Sequence, residues 1–163
     1  MPRSDMTIET VAADDLARLG EVRRLFEEYA ASLAIDLSFQ NFAGELASLP
    51  GDYAPPGGAL MLAQIDAASA GCVAVRRLDQ ACCEMKRLFI RPAFQQSGYG
   101  RLLAEAAIDW ARGAGYQRMR LDTLPTMAAA QRMYLRLGFV DVPAYRFNPI
   151  PGSRFMEKAL CLA

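Results

Sequence analysis

The stretch Ile90-Arg91-Pro92-Ala93-Phe94-Gln95-Gln96-Ser97-Gly98-Tyr99-Gly100-Arg101 sets a strand end, a glycine-bearing turn and a helix start in immediate succession. Residues 82–90, CCEMKRLFI, read as a strand that Arg91-Pro92 ends. Residues 98–112 read as a helix, with Leu102, Leu103, Ala106 and Trp110 inward and Arg101, Glu105, Asp109 and Arg112 outward. Gly113 and Gly115 stop it. Such a junction is a candidate phosphate cradle. Backbone N–H groups at a helix start converge on an anion, and Gly98 and Gly100 keep a Cβ out of its path. A glycine pair before a helix is also an ordinary turn, and this one matches neither a P-loop nor a GxGxxG fingerprint.

Upstream, residues 6–11 read as a short strand, and Asp14 or Asp15 caps a helix whose apolar residues Leu16, Leu19, Val22, Phe26, Tyr29 and Leu33 recur every three or four positions. A second helix is expected from Ser38, with Phe39, Phe42, Leu46 and Leu49 on one side and Pro50-Gly51 as its stop. Residues 59–65 and 71–78 then read as strands that form an antiparallel meander with 82–90. Downstream, residues 117–123 alternate: Met119, Leu121 and Thr123 face one way, Arg118, Arg120 and Asp122 the other. Thr126 is expected to cap a helix carrying Ala130, Met133, Tyr134 and Leu137, closed by Gly138; residues 139–142 and 155–162 are the last strands.

At 163 residues, 53% hydrophobic and 22% charged, the chain suits one globular domain spanning residues 1–163, and a disordered chain is excluded. Eighteen basic and eighteen acidic side chains disfavour a nucleic-acid binder. The balance hides a split: residues 1–81 carry six basic and twelve acidic groups, net −6, and residues 82–163 carry the reverse, net +6. This reads either as uneven solvated surface or as a cationic ligand facing the first half and an anionic one the second. No apolar run approaches a membrane span and the start lacks a signal core, so the expected location is cytoplasmic, with no membrane partner. Cys72, Cys82, Cys83 and Cys161 lack metal-ligand spacing and read as small buried hydrophobes; no metal is expected. With no histidine in the chain, acid or base work falls to Glu, Asp, Tyr, Lys or Cys.

Gln95-Gln96-Ser97-Gly98-Tyr99-Gly100 and, downstream, Tyr134-Leu135-Arg136-Leu137-Gly138-Phe139 together resemble the two signatures of the GNAT superfamily of acyl-CoA-dependent N-acetyltransferases. The resemblance covers about residues 6–160. It implies an α+β, three-layer fold: a central, mostly antiparallel sheet of six or seven strands, splayed between the fourth and fifth, flanked by about four helices. It further implies acetyl-CoA as cosubstrate, with its pantetheine arm in the splay. Leu88, Phe89 and Ile90 on a bulged fourth strand would meet the arm, and the backbone of Gln95, Gln96, Ser97, Gly98, Tyr99, Gly100 and Arg101 would hold the pyrophosphate. Two positions depart from the family: Gln96 stands where glycine is frequent, and Met127 where asparagine is, losing a polar contact to the cofactor.

Acetyl transfer to an amine needs a base, an oxyanion donor and a proton for the departing thiolate. Glu84 is the candidate base, with a surface ion pair to Lys86 or Arg87 as its other reading. The N–H of Leu88 is the candidate oxyanion donor. Tyr134, which the resemblance sets beside the pantetheine sulfur, would donate its O–H to the thiolate. The acceptor would lie among Tyr29, Phe39, Phe42, Tyr53, Arg76, Asp122, Tyr145 and Asn148, with Tyr53, Tyr145 and Asn148 favoured as loop residues and Tyr29 kept as a contact. The reading is an N-acetyltransferase, monomeric or homodimeric, acting on a primary amine of a small molecule or amino acid. The alternatives are a non-catalytic acyl-CoA sensor and a protein or peptide N-acetyltransferase. The acidic first half favours a cationic acceptor.

Overall fold

The computed structural model describes residues 5–160. Seven strands, β1 (Met6–Thr10), β2 (Ala59–Ile65), β3 (Ala68–Arg77), β4 (Cys82–Ile90), β5 (Arg118–Thr123), β6 (Val140–Val142) and β7 (Arg154–Ala159), form one sheet in the order β1-β2-β3-β4-β5-β7-β6. Every neighbouring pair is antiparallel except β4 and β5, which run parallel because a helix crosses between them. The helices are α1 (Leu16–Ser32), α2 (Phe42–Ser48), α3 (Tyr99–Gly113) and α4 (Ala128–Arg136).

Each face of the sheet buries its own core, which makes three layers. On one face Leu60, Leu62, Cys72, Ala74 and Phe89 meet Leu19, Val22, Leu25 and Phe26 of α1, with Phe42 and Leu46 of α2 at the margin. On the other, Met61, Val73, Val75, Met85, Met119 and Leu121 meet Leu103, Ala104, Ala107 and Ile108 of α3, with Tyr134 of α4. The inward side of α3 is rotated from the expected one. Leu102 is 39% exposed, while Ala104, Ala107 and Ala111 are fully buried. Alanines let the helix approach the sheet closely, a fit that a pattern of large apolar residues does not reveal.

The helix expected from Ser38 is broken. Residues 38–40 form a single 3-10 turn, and Asn41, at φ 53°, stands between it and α2. Leu16, expected inside, is 79% exposed at the first residue of α1. Asp15 caps that helix, its Oδ1 accepting from the Arg18 N–H at 3.1 Å. Asp15→Ala should therefore lower stability by about 1 kcal/mol, read as a shifted urea midpoint at unchanged slope. Met127, not Thr126, stands at the start of α4. Cys72, Cys82 and Cys83 are buried free thiols; Cys161 and residues 161–162 of the last expected strand lie outside the described residues.

Candidate active site

Strands β4 and β5 pair only at Cys82, Cys83 and Glu84, opposite Arg118, Met119 and Arg120. Beyond Glu84 they part, and a cleft of about 430 Å³ opens between them. Its walls include Met85 through Ile90 on one side and Leu121 through Leu124 on the other, with Tyr134 of α4 and Tyr29 of α1. The β4 wall is bulged. Ala74 pairs with Lys86 and Cys72 with Phe89, so Val73 alone stands opposite Arg87 and Leu88, and Arg87 takes φ 60°. The bulge interrupts the alternation of the strand. Lys86 and Arg87, adjacent in sequence, both reach the α2 side, Lys86 Nζ donating to Gln40 Oε1 at 3.0 Å and Arg87 forking onto Glu45 at 2.9 and 3.1 Å.

At the end of β4, Gln95 Nε2 donates to the Ile90 carbonyl at 2.8 Å and ties the turn to the strand. Gln96 at φ 64° and Gly98 at φ 79° curl the chain into α3, and no side chain caps the helix. A φ of 64° is costly for glutamine and free for glycine, the residue that the family resemblance leads one to expect at this position. A Cβ built on Gly100 would meet only Ile90 Cγ1, at 3.8 Å, within 4 Å. The protein's own packing leaves room for a side chain there, so the space beside the first turn of α3 is open to a ligand. An uncapped start of a fifteen-residue helix suits an anion.

Inside the cleft, Tyr134 is 8% exposed and packs edge-on to Phe139 at 5.7 Å. Among the described residues no acceptor takes its hydroxyl. Burial, helped by Tyr29 and Asp122, pushes the phenol well above its ordinary range, so it stays protonated. Asp122 is the one carboxylate among the described residues lining the cleft, oriented by Asn148 Nδ2 at 3.2 Å. The β5 alternation already set it on the side of Arg118 and Arg120; what a single strand could not show is that β4 parts from β5 just before it.

Glu84 sits where the two strands are still paired and is not among the cleft residues. It is completely buried; Oε1 accepts from Arg76 Nε at 2.9 Å, and Oε2 accepts from Tyr145 Oη at 2.6 Å and is paired with Arg146. A buried carboxylate costs several kcal/mol to desolvate, and these three donors offset that cost. The ion pair weighed for it with Lys86 or Arg87 is not formed. Tyr145 is committed to this cluster and lines neither cavity described here.

A second, polar cavity of about 420 Å³ adjoins the cleft, and Gln40 and Lys86 line both. Of the other expected acceptor contacts, Tyr29 and Asn148 line the cleft, and Tyr53 lines the second cavity with its hydroxyl donated to Glu45 at 2.8 Å. The acidic excess of the first half is spent partly on arginines of the second: Glu45 holds Arg87, and Glu28 holds Arg91 at 2.6 Å. The charge split thus records pairing across the fold.

Similarity to known proteins agrees with this architecture. Residues 21–139 match the acetyltransferase (GNAT) family. An uncharacterized N-acetyltransferase of Schizosaccharomyces pombe is 39% identical over 85% of this chain and 86% of its own. A GNAT-family acetyltransferase of Staphylococcus aureus superposes with a TM-score of 0.78 at 19% identity, covering 96% of this chain and all of the other. The PaiA N-acetyltransferase of Thermoplasma acidophilum, solved in complex with coenzyme A, superposes at 0.68 with 16% identity over 95% and 99% of the two chains. The mixed sheet splayed after Glu84, the bulged β4 and the uncapped start of α3 accordingly belong to a member of the GNAT acetyltransferase family.

Proposed function

We propose that this chain transfers the acetyl group of acetyl-CoA to a primary amine of a small molecule by direct attack. The observation that carries the reading is the cleft. The bulged strand, the unclaimed hydroxyl of Tyr134 and the carboxylate of Asp122 line the same space, which Gln95 borders just before the turn into α3 and which adjoins a second, polar cavity. The backbone of residues 96–101 and the open side of Gly100 would hold the pyrophosphate; Leu88, Phe89, Ile90 and Gln95, which line the cleft, would flank the arm. When bound, acetyl-CoA supplies an activated thioester carbonyl.

The N–H of Leu88, at the bulge, is the donor assigned to the oxyanion, a group that needs no titration. Asp122, directly or through a water, takes the proton from the attacking amine. It replaces Glu84 in that role here, because both oxygens of Glu84 are engaged by Arg76, Arg146 and Tyr145. Tyr134 donates a hydrogen bond to the departing thiolate. A phenol held above its ordinary range does not surrender its proton outright to a thiolate whose conjugate acid lies near 8.5, so the proton the thiol finally carries comes from the acceptor nitrogen.

The test is release of free thiol from acetyl-CoA across polyamines, amino acids, aminoglycosides and peptides. Acetylation of small amines is expected. Acetylation of peptides alone would move the acceptor to proteins, and acetyl-CoA binding with no thiol release from any amine would leave a sensor module. Asp122→Asn should lower turnover roughly tenfold, below the roughly hundredfold at which general-base effects usually begin, because water in an open cleft can take the same proton. An unchanged rate with chemistry limiting would remove Asp122 from the mechanism.

A further inference from the structure

Lys86 is the buried charge that the proposed reaction does not use. It is 8% exposed, its hydrogen bond goes to a neutral amide, Gln40, and among the described residues no carboxylate lies within 4 Å of its ammonium. An ammonium out of water is costly unless paired. The burial shows in its acidity, pushed down to about 8 by desolvation first and then by Arg87 and Arg76, against the pull of Glu45 and Asp122. Its neighbours do not neutralise it. Arg87 and Glu45 are spent on one another, Arg76 and Arg146 share the single carboxylate of Glu84, and Asp52, 3.7 Å from Arg76, is 82% exposed. The wall between the cleft and the second cavity therefore carries excess positive charge, although the acidic first half pointed to a cationic acceptor.

We propose that the acceptor is an amine that also bears a carboxylate, the carboxylate bound by Lys86 with Arg76 and Arg146 lining the same polar cavity, and the amine turned toward Asp122 in the cleft. The proposal rests on the acetyltransferase reading for the role of the amine, but the anion site stands on the cavity alone. Two features fit a zwitterion. Lys86 lines both cavities whereas Asp122 lines only the cleft, so the two charges mark separate ends of one bound molecule. The β4 bulge, by turning Arg87 to the same side as Lys86, lets Arg87 neutralise Glu45, the acid that would otherwise face an incoming carboxylate.

The experiment compares the amino acids with their amides and with the corresponding decarboxylated amines in the thiol-release assay. In parallel, binding of N-acetylated amino acids and of their amides to the protein with coenzyme A is measured by calorimetry. The acids should be favoured about tenfold or more in both readouts. The preference should collapse in Lys86→Met, a substitution of similar shape, and survive in Lys86→Arg, with circular dichroism reporting the fold of each. Thiol release as fast from amides or plain amines would overturn the carboxylate site and leave the acetyltransferase intact. If no amine released thiol, calorimetry would decide. Tighter binding of acids would keep the anion site and end the catalytic reading, and equal binding, or binding of neither, would end the anion site.

Discussion

Gly100→Val is expected to leave a folded protein that has lost about a hundredfold in affinity for acetyl-CoA. The fold has room for the first carbon of the new side chain: beyond the adjoining residues and the backbone of its own helix, the one heavy atom within 4 Å of the added Cβ is Ile90 Cγ1, at 3.8 Å, an ordinary contact. The cost to the helix is below 1 kcal/mol, since valine in a helix interior is no worse than glycine. What the isopropyl group does is stand where a pyrophosphate approaches the first turn of α3. Hydrogen bonds to a charged group are worth about 1.5 to 3 kcal/mol each, so losing one or two removes about 3 kcal/mol, or roughly a hundredfold. Isothermal titration with acetyl-CoA reads this directly, and undiminished affinity in a folded variant would sink the cradle. Gly98 is the poorer probe, because φ 79° makes any replacement a test of the turn as well as of the ligand.

Much of the fold was legible because local rules and tertiary structure agree there. The run CCEMKRLFI, the glycine-bearing turn and the helix after it lie where their patterns put them, at Cys82–Ile90 and Tyr99–Gly113. Disagreement begins where a second element decides. Asn41 breaks a helix that the spacing of Phe39, Phe42 and Leu46 supports, and the pattern carries no sign of a left-handed residue. Glu84 shows the same limit at the site. Its spacing from Lys86 and Arg87 suggested a local ion pair, but in a strand the partner of a buried carboxylate comes from the neighbouring strand and from loops. Here these are Arg76, directly opposite in β3, and Arg146 with Tyr145 sixty-odd positions away. Lys86, read only as a surface partner for Glu84, is the related case, because burial of a lysine away from any carboxylate is invisible until the surrounding layers are in place.

Tyr134→Phe is the second large effect, about a hundredfold in turnover with acetyl-CoA affinity nearly unchanged. The ring is what the core needs: it is packed on Phe139 and belongs to the same cluster as Met85, Leu103 and Leu121, and phenylalanine keeps all of that surface. The hydroxyl has no protein acceptor among the described residues, so its loss orphans no buried group, and stability should move by well under 1 kcal/mol. In the ground state a thioester sulfur is a weak acceptor; the bond gains strength only as charge builds on the leaving sulfur. An interaction made mainly in the transition state lowers kcat while leaving binding alone. A charge-assisted hydrogen bond from a phenol as buried as Tyr134 amounts to about 3 kcal/mol, hence the hundredfold. The deficit should shrink with an acyl donor whose leaving thiol is more acidic, because such a thiolate needs less help to depart. A Tyr134→Phe protein that turned over at the original rate, with thioester cleavage limiting, would return Tyr134 to the core and leave the thiolate to solvent.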